Sequence, residues 1–201
     1  MEITLAQDKA FNAFVYFAEN IKPLFLTKAF KLLYLADEMA IRQTGVPITW
    51  LNYKAWKLGP VPEDIYQQVK FAYHQNQKGN GRNTIQHLEI SEPLENLRDG
   101  ILLTPVRAFD DAKFSDYDIE ILDAVISAYG KLNSDQIIDL LHAKGTLWHK
   151  LVEANHLDQQ FELKGNRSDF IIELTDLLDT EYKRSAFEVA YQSYLMQNEL
   201  L

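Results

Sequence analysis

Residues Lys31 to Tyr66 read KLLYLADEMAIRQTGVPITWLNYKAWKLGPVPEDIY, an apolar helical pattern that runs into a Gly-Pro-x-Pro corner. Laid on a wheel of about 100° per residue, the helix that starts near Phe25 or Thr27 is mostly apolar. One arc runs from Met39 through Leu32, Ala36, Ala29, Leu33 and Phe30 to Ile41, and a narrower stripe of Thr27, Lys31, Tyr34, Glu38 and Arg42 lies opposite. So wide an arc predicts a central helix packed on several sides. Asp37 falls inside the arc, between Leu33 and Phe30, and a local conflict of this kind marks a special site. Gly45 and Pro47 end the helix.

Beyond it, Ile48 to Leu58 has some strand character and carries three aromatics, Trp50, Tyr53 and Trp56. Gly59-Pro60 breaks that run, and Pro62 suits the first turn of a helix reaching about Tyr73. On the N-terminal side, Pro23 separates the central helix from a first one over Asp8 to Glu19, where Phe11, Phe14, Val15 and Ala18 recur at helical spacing. Downstream, His74 to Asn83 is polar and rich in Gly and Asn, the composition of a loop. Strand-like runs at Thr84–Ile90 and Ile101–Val106 predict a small antiparallel pair with a turn near Asp99-Gly100. Ser115 with Asp118 forms a capping box for a helix ending at Gly130, Asn133 or Ser134 caps the next, and Thr146 opens a short helix carrying Trp148. After a polar interval at Gly165-Asn166, one or two helices occupy Asp169 to about Asn198. The fold class is therefore mainly α: a compact helical domain around a central buried helix, with a small antiparallel β element.

With 201 residues, 47% hydrophobic and 24% charged, the chain can build one sizeable core of ordinary globular composition. A net charge of −9 is the opposite of a nucleic-acid binder's footprint and favours basic partners. The absence of Cys excludes disulfides, thiolate metal sites and a cysteine nucleophile. The start MEITLAQDKAFNAF has no basic segment ahead of an apolar run, and no stretch of about 18 apolar residues occurs. A cytoplasmic protein with no signal peptide and no membrane span is expected. There is no G-x-S-x-G, P-loop or G-x-G-x-x-G, and the GNGRN loop lacks a following Lys-Ser pair, so neither catalysis nor a cofactor is expected.

The block Lys31-Leu32-Leu33-Tyr34-Leu35-Ala36-Asp37, then Gly45 and Pro47, then Tyr53, Ala55, Gly59, Pro60 and Val61 resembles the SocA-like antitoxin family, also called Panacea domains. There a helix reading K-L-L-Y-x-A-D leads through a Gly and a Pro into Y-x-A-x-x-x-G-P-V. The Ser115–Gly130 helix and the Thr146-Leu147-Trp148 segment are similar to later parts of the same family. The resemblance covers roughly Asp8 to Asn155. It implies a Panacea domain at residues 1–155 and a C-terminal helical extension at 156–201 packed on it. The function it implies is that of an antitoxin of a bacterial or phage toxin–antitoxin pair, neutralising its toxin by direct protein contact. The implied partner is a cognate toxin encoded next to it. The founding member is described as also delivering its toxin to a protease, which makes a protease a second implied partner. Antitoxins often repress their own operon as well, and Asn133 to Val152, jointed at Gly145, has a helix-turn-helix layout. That segment offers only Lys144, His149 and Lys150 to DNA.

Candidate contact residues are the helix stripe Lys31, Tyr34, Glu38 and Arg42 together with Tyr53, Trp56 and Lys57. Residues of the motif with structural roles are Asp37, Gly59, Pro60, Val61 and Trp148. Asp37 is either an interface or catalytic carboxylate, or a buried cap that accepts N–H bonds from the Trp56 to Val61 corner, with Lys54 and Lys57 as neighbouring cations. Trp50, Tyr53 and Trp56 read as one aromatic cluster, serving as a contact anchor or as a lid on the core. His142, His149 and His156 recur every seven residues, but Gly145 interrupts their face and no metal is expected. Asp116, Asp118, Glu120 and Asp123 complement a helix N-terminus.

Overall fold

Thr4 opens the first helix, α1 (Leu5–Asn20), through a capping box: its hydroxyl accepts from the Gln7 N–H and the Gln7 side chain accepts from the Thr4 N–H, each at 3.2 Å. The structure, a computed structural model, describes residues 4–76, 84–92, 100–163 and 165–199. A two-residue strand, β1 (Leu24–Phe25), leads into the central helix α2 (Leu26–Thr44). Leu32, Leu33, Ala36 and Asp37 of α2 have no solvent exposure, as the wide apolar arc predicts. Gly45, at φ 86°, stops α2 in the left-handed conformation, and its N–H bonds to the Ile41 carbonyl at 2.9 Å.

The corner that follows is a tight hairpin, β2 (Lys54–Trp56) against β3 (Gly59–Val61), with Trp56 opposite Gly59. Helix α3 (Glu63–Asn76) starts just after Pro62, and strands β4 (Thr84–Ile85), β5 (Leu88–Ser91) and β6 (Leu102–Pro105) come next. They form an antiparallel sheet in the order β1, β6, β5, β4, so β1 pairs with a strand almost eighty residues away. Helices α4 (Asp116–Tyr129), α5 (Ser134–His142) and α6 (Leu147–Ala154) begin at Ser115, Asn133 and Thr146, each side chain accepting an N–H of the first turn. Helix α7 (Leu157–Leu163) and, after a 3₁₀ turn at Leu174–Leu177, α8 (Glu181–Glu199) complete the described chain. The fold is mainly α with a small antiparallel β element.

Four sequence readings are corrected. Thr84–Ile90 is a hairpin of two strands, not one, because Gln86 turns the chain at φ 51° without the Gly or Asn that signals such a turn. β1 is absent from the sequence reading because two residues have no periodicity, and their pairing with Leu102 and Leu103 is wholly non-local. α7 is likewise absent, since only Leu157 and Phe161 anchor it among polar residues. Trp50, Tyr53 and Trp56 do not form one cluster. Trp50, at φ 60°, sends its ring to Phe187, Tyr191 and Tyr194 of α8 (centroids 5.2, 5.5 and 5.3 Å), while Tyr53 meets Tyr34 and Trp56 meets Tyr66. The first residues of the His74–Asn83 loop continue α3 to Asn76; the rest of that loop, and Asp99 of the expected turn, lie outside the described residues.

Residues 166–172 run beside β2. The Lys57 and Ala55 N–H groups donate to the Asn166 and Phe170 carbonyls, both at 2.9 Å, and the Ile172 N–H donates to the Tyr53 carbonyl at 2.8 Å. Ser168 donates its hydroxyl to the Ala55 carbonyl at 2.6 Å. The C-terminal segment thus supplies backbone partners to the corner itself.

Candidate partner-recognition site

The corner is held to α2 from two buried points. The first is Asp37, wholly buried, whose carboxylate accepts four bonds. Oδ1 takes the N–H groups of Ile48 (2.7 Å) and Thr49 (2.9 Å), and Oδ2 takes the Thr49 hydroxyl and the Tyr53 hydroxyl, the latter at 2.6 Å. Four donors and no acceptor suit a carboxylate, which is acceptor-only. Desolvation pushes the Asp37 pKa above its ordinary value, and the four bonds oppose that rise. Asp37 is therefore a buried cap, but of Ile48–Thr49 rather than of Trp56–Val61, because the loop turns back over α2 before the hairpin begins. Lys54 is not its cation: it is ion-paired with Glu63 and with Asp169, the latter at 2.9 Å.

The second point is Lys31. It is only 1% exposed, and its Nζ donates to the Pro60 carbonyl at 2.7 Å. Burial lowers its pKa to about 7. Gly59, at φ 96°, passes directly over it; a Cβ there would lie 3.4 Å from Lys31 Nζ and 3.8 Å from His142 Nε2. His142 stacks on Trp148 at 3.6 Å, and Trp148 donates its indole N–H to the Trp56 carbonyl at 2.9 Å. Burial and the Lys31 charge hold the His142 pKa below the usual histidine value.

Of the contact candidates, Lys31, Tyr34 and Tyr53 are at most 1% exposed and Trp56 is 9% exposed, which corrects the expectation of an exposed stripe at Lys31 and Tyr34. The hairpin and the Ile48–Tyr53 loop fold back over that side of α2, so the polar atoms of Lys31 and Tyr34 are covered. Solvent reaches Glu38, Arg42 and Lys57. Arg42 is bonded to Glu38 through Nε and Nη2, at 2.9 and 2.7 Å. Val61 and Pro60 are buried in the hairpin. His149 faces Glu153 at 3.8 Å, and among the described residues no three His, Asp or Glu side chains gather as a metal site. Asp118 caps Ser115 and pairs with Lys9 at 2.9 Å.

Sequence reasoning missed Thr49, Tyr66 and Arg167, and weighed His142 only as a metal ligand. Arg167 lies over the rings of Trp56 and Tyr66, its Cζ 4.7 and 5.3 Å from their centroids, and donates to the Tyr66 hydroxyl at 3.2 Å. A contact across a hundred residues leaves no local signal. Thr49 did leave one, as a polar residue between apolar neighbours two positions after a proline.

A helix packed on most of its circumference is joined to the hairpin through buried polar bonds, with Asp37, Lys31 and Tyr53 turned inward. The family model of the antitoxin SocA-like proteins, Panacea domain, matches residues 30–149. That span is more than half of the chain and contains most of α2 and the whole corner, so the chain belongs to the SocA-like antitoxin family. No curated protein and no solved structure matches it. Among the described residues no helix is long and apolar enough to cross a membrane.

Proposed function

We propose that this chain is the antitoxin of a toxin–antitoxin pair and that it neutralises a cognate toxin, encoded next to it, by direct protein–protein contact in the cytoplasm. The observation that carries this reading is the family match over residues 30–149, which falls on the helix and corner that the fold makes rigid. The polar groups of that block support binding rather than catalysis. Asp37, Lys31 and Tyr53 are engaged inside the protein, so they are unavailable to a substrate. A surface that is ordered before it meets its partner loses little entropy on binding. Neutralisation is then stoichiometric: toxin activity is extinguished at a fixed molar ratio and not by turnover.

Co-expression with the product of the adjacent gene tests this. The expected result is rescued growth together with co-purification of the two chains. Toxicity that persists, with no complex recovered, overturns the reading. Delivery to a protease shares the same contact and is separated from it by toxin half-life, which shortens only if the chain is an adaptor. An operon regulator has less support: α6 is eight residues long, buries Leu147, Trp148 and Val152, and presents His149, Lys150 and Glu153 on its outer side.

A further inference from the structure

Two clefts meet beside the N-terminal end of α2, where both are lined by Thr27 and Leu58. The smaller, about 260 Å³, lies among Phe30, Trp56, Val61 and Tyr66, and its charged residues are Lys31 and Arg167. The larger, about 690 Å³, passes Phe25 and Ile138 and takes in Lys22, Lys28, Lys131 and one carboxylate, Asp135. The groove is therefore lined by five basic side chains and one acid, in a chain with 20 basic and 29 acidic residues. Lys22, Lys131 and Arg167 are exposed, and Lys28 and Lys31 are buried.

Lys9, Lys54 and Lys113 are each held by a carboxylate from a distant part of the chain. Among the described residues none of the five groove cations is ion-paired. Lys28 and Lys31 donate to the backbone carbonyls of Gly130 and Pro60, each at 2.7 Å, and Arg167 rests on two aromatic rings. The Trp56 indole N–H, buried at the smaller cleft, has no acceptor among the described residues. Leu58, 54% exposed, stands in water where the clefts join. The groove thus has apolar residues at its smaller end, a donor without an acceptor among the described residues, and more basic than acidic side chains.

We infer that this groove seats an acidic segment of the toxin, with an apolar side chain between Phe30, Trp56 and Tyr66 and flanking carboxylates toward Arg167 at one end and Lys131 at the other. The inference rests on the antitoxin reading and names its contact surface. Nucleic acid would satisfy the charge, but it also needs free aromatic faces for its bases or a continuous basic track. Here the Trp56 and Tyr66 rings lie against each other and under Arg167, among apolar residues at the smaller end. An apolar anchor ringed by opposite charge is the usual chemistry of a protein contact, the charge acting mainly on association rate and selectivity.

The test measures binding of the full chain to the purified product of the adjacent gene, at low and high salt. Lys131→Glu and Arg167→Glu each weaken binding about tenfold, mainly through slower association, and flatten its salt dependence. Leu58→Asn, which removes the apolar contact without adding charge, weakens it without that change in salt dependence. Lys150→Ala, exposed on α6 and outside both clefts, stays within about twofold of wild type. Thermal unfolding is followed for every variant, and Lys131, exposed and without an ion pair among the described residues, provides a substitution that leaves packing intact. Unchanged binding by Lys131→Glu and Arg167→Glu, with the wild-type complex formed, overturns the assignment and leaves the antitoxin reading standing. No wild-type complex overturns both. A random-sequence DNA duplex that binds and is released by the same charge reversals, with toxin binding unaltered, gives the groove to nucleic acid and overturns it as well.

Discussion

At the scale of single residues, Asp37 decides whether the corner can close on α2. Its two oxygens are used differently: Oδ1 accepts two backbone N–H groups and Oδ2 accepts two hydroxyls. Asp37→Asn keeps Oδ1, and its new amide can donate to the Thr49 and Tyr53 oxygens once those hydroxyls rotate. Asp37→Ala leaves four buried donors unpaired, each costing about 1–3 kcal/mol, which together rival the whole stability of a domain, about 5–15 kcal/mol. Urea unfolding should show the Asn variant folded with a lowered midpoint and the Ala variant without a cooperative transition. An Ala variant that unfolds at nearly the wild-type midpoint would defeat this account. Asp37 was legible in the sequence because a carboxylate inside an apolar arc has few physical explanations. The burial of Lys31 and Tyr34 was not. A helical wheel shows which residues share a side but not what covers that side, and here the covering comes from residues 48–61 folding back.

At the scale of elements, local chemistry wrote most boundaries plainly. Ser115, Asn133 and Thr146 stand where their side chains can accept from the first turn of a helix, so those starts follow from spacing alone. Gly45 and Gly145 both adopt positive φ, 86° and 95°, yet they are not equivalent. Nothing lies within 4 Å of a Cβ placed on Gly145, whereas one on Gly45 would collide with the backbone of Lys183 in α8. Gly145→Ala therefore carries only the left-handed strain of a Cβ, roughly 1–2 kcal/mol. Gly45→Ala carries that strain and also forces α8 off the end of α2, loosening the rings around Trp50. Thermal melts should place Gly45→Ala clearly below Gly145→Ala, and only Gly45→Ala should red-shift tryptophan emission. Equal melting temperatures with unchanged emission would show that α8 does not press on this corner. The first half of that argument was available from sequence, since a Gly after the last apolar position reads as a helix stop. The second half was not, because the close approach joins residues well over a hundred positions apart.

At the scale of the whole molecule, the family match ends at residue 149 but the folded unit does not. Residues 166–172 provide hydrogen-bond partners for Tyr53, Ala55 and Lys57, and Tyr53 and Ala55 are fully buried. A buried backbone group without its partner costs about 1–3 kcal/mol, and no water can replace the partner at a buried strand. α8 is a different kind of attachment. It covers Gly45 and Trp50 along one narrow stripe, while Tyr182, Val189 and Met196 on its other side are 76%, 73% and 62% exposed. Ending the chain after Asp179 removes α8 alone. That loss concerns rings that are partly wet already, so the shortened protein should still melt cooperatively, a few degrees lower at about 2–4 °C per kcal/mol. Ending it after Leu163 also strips the strand partners from the corner, the Ser168 bond and the Arg167 cover on Trp56. That chain should keep helical signal in far-ultraviolet circular dichroism but lose a sharp thermal transition, because the corner that closes on α2 no longer has its second edge. If the chain ending at Leu163 melts as cooperatively as the one ending at Asp179, the segment after residue 163 is an accessory and the matched family region folds without it.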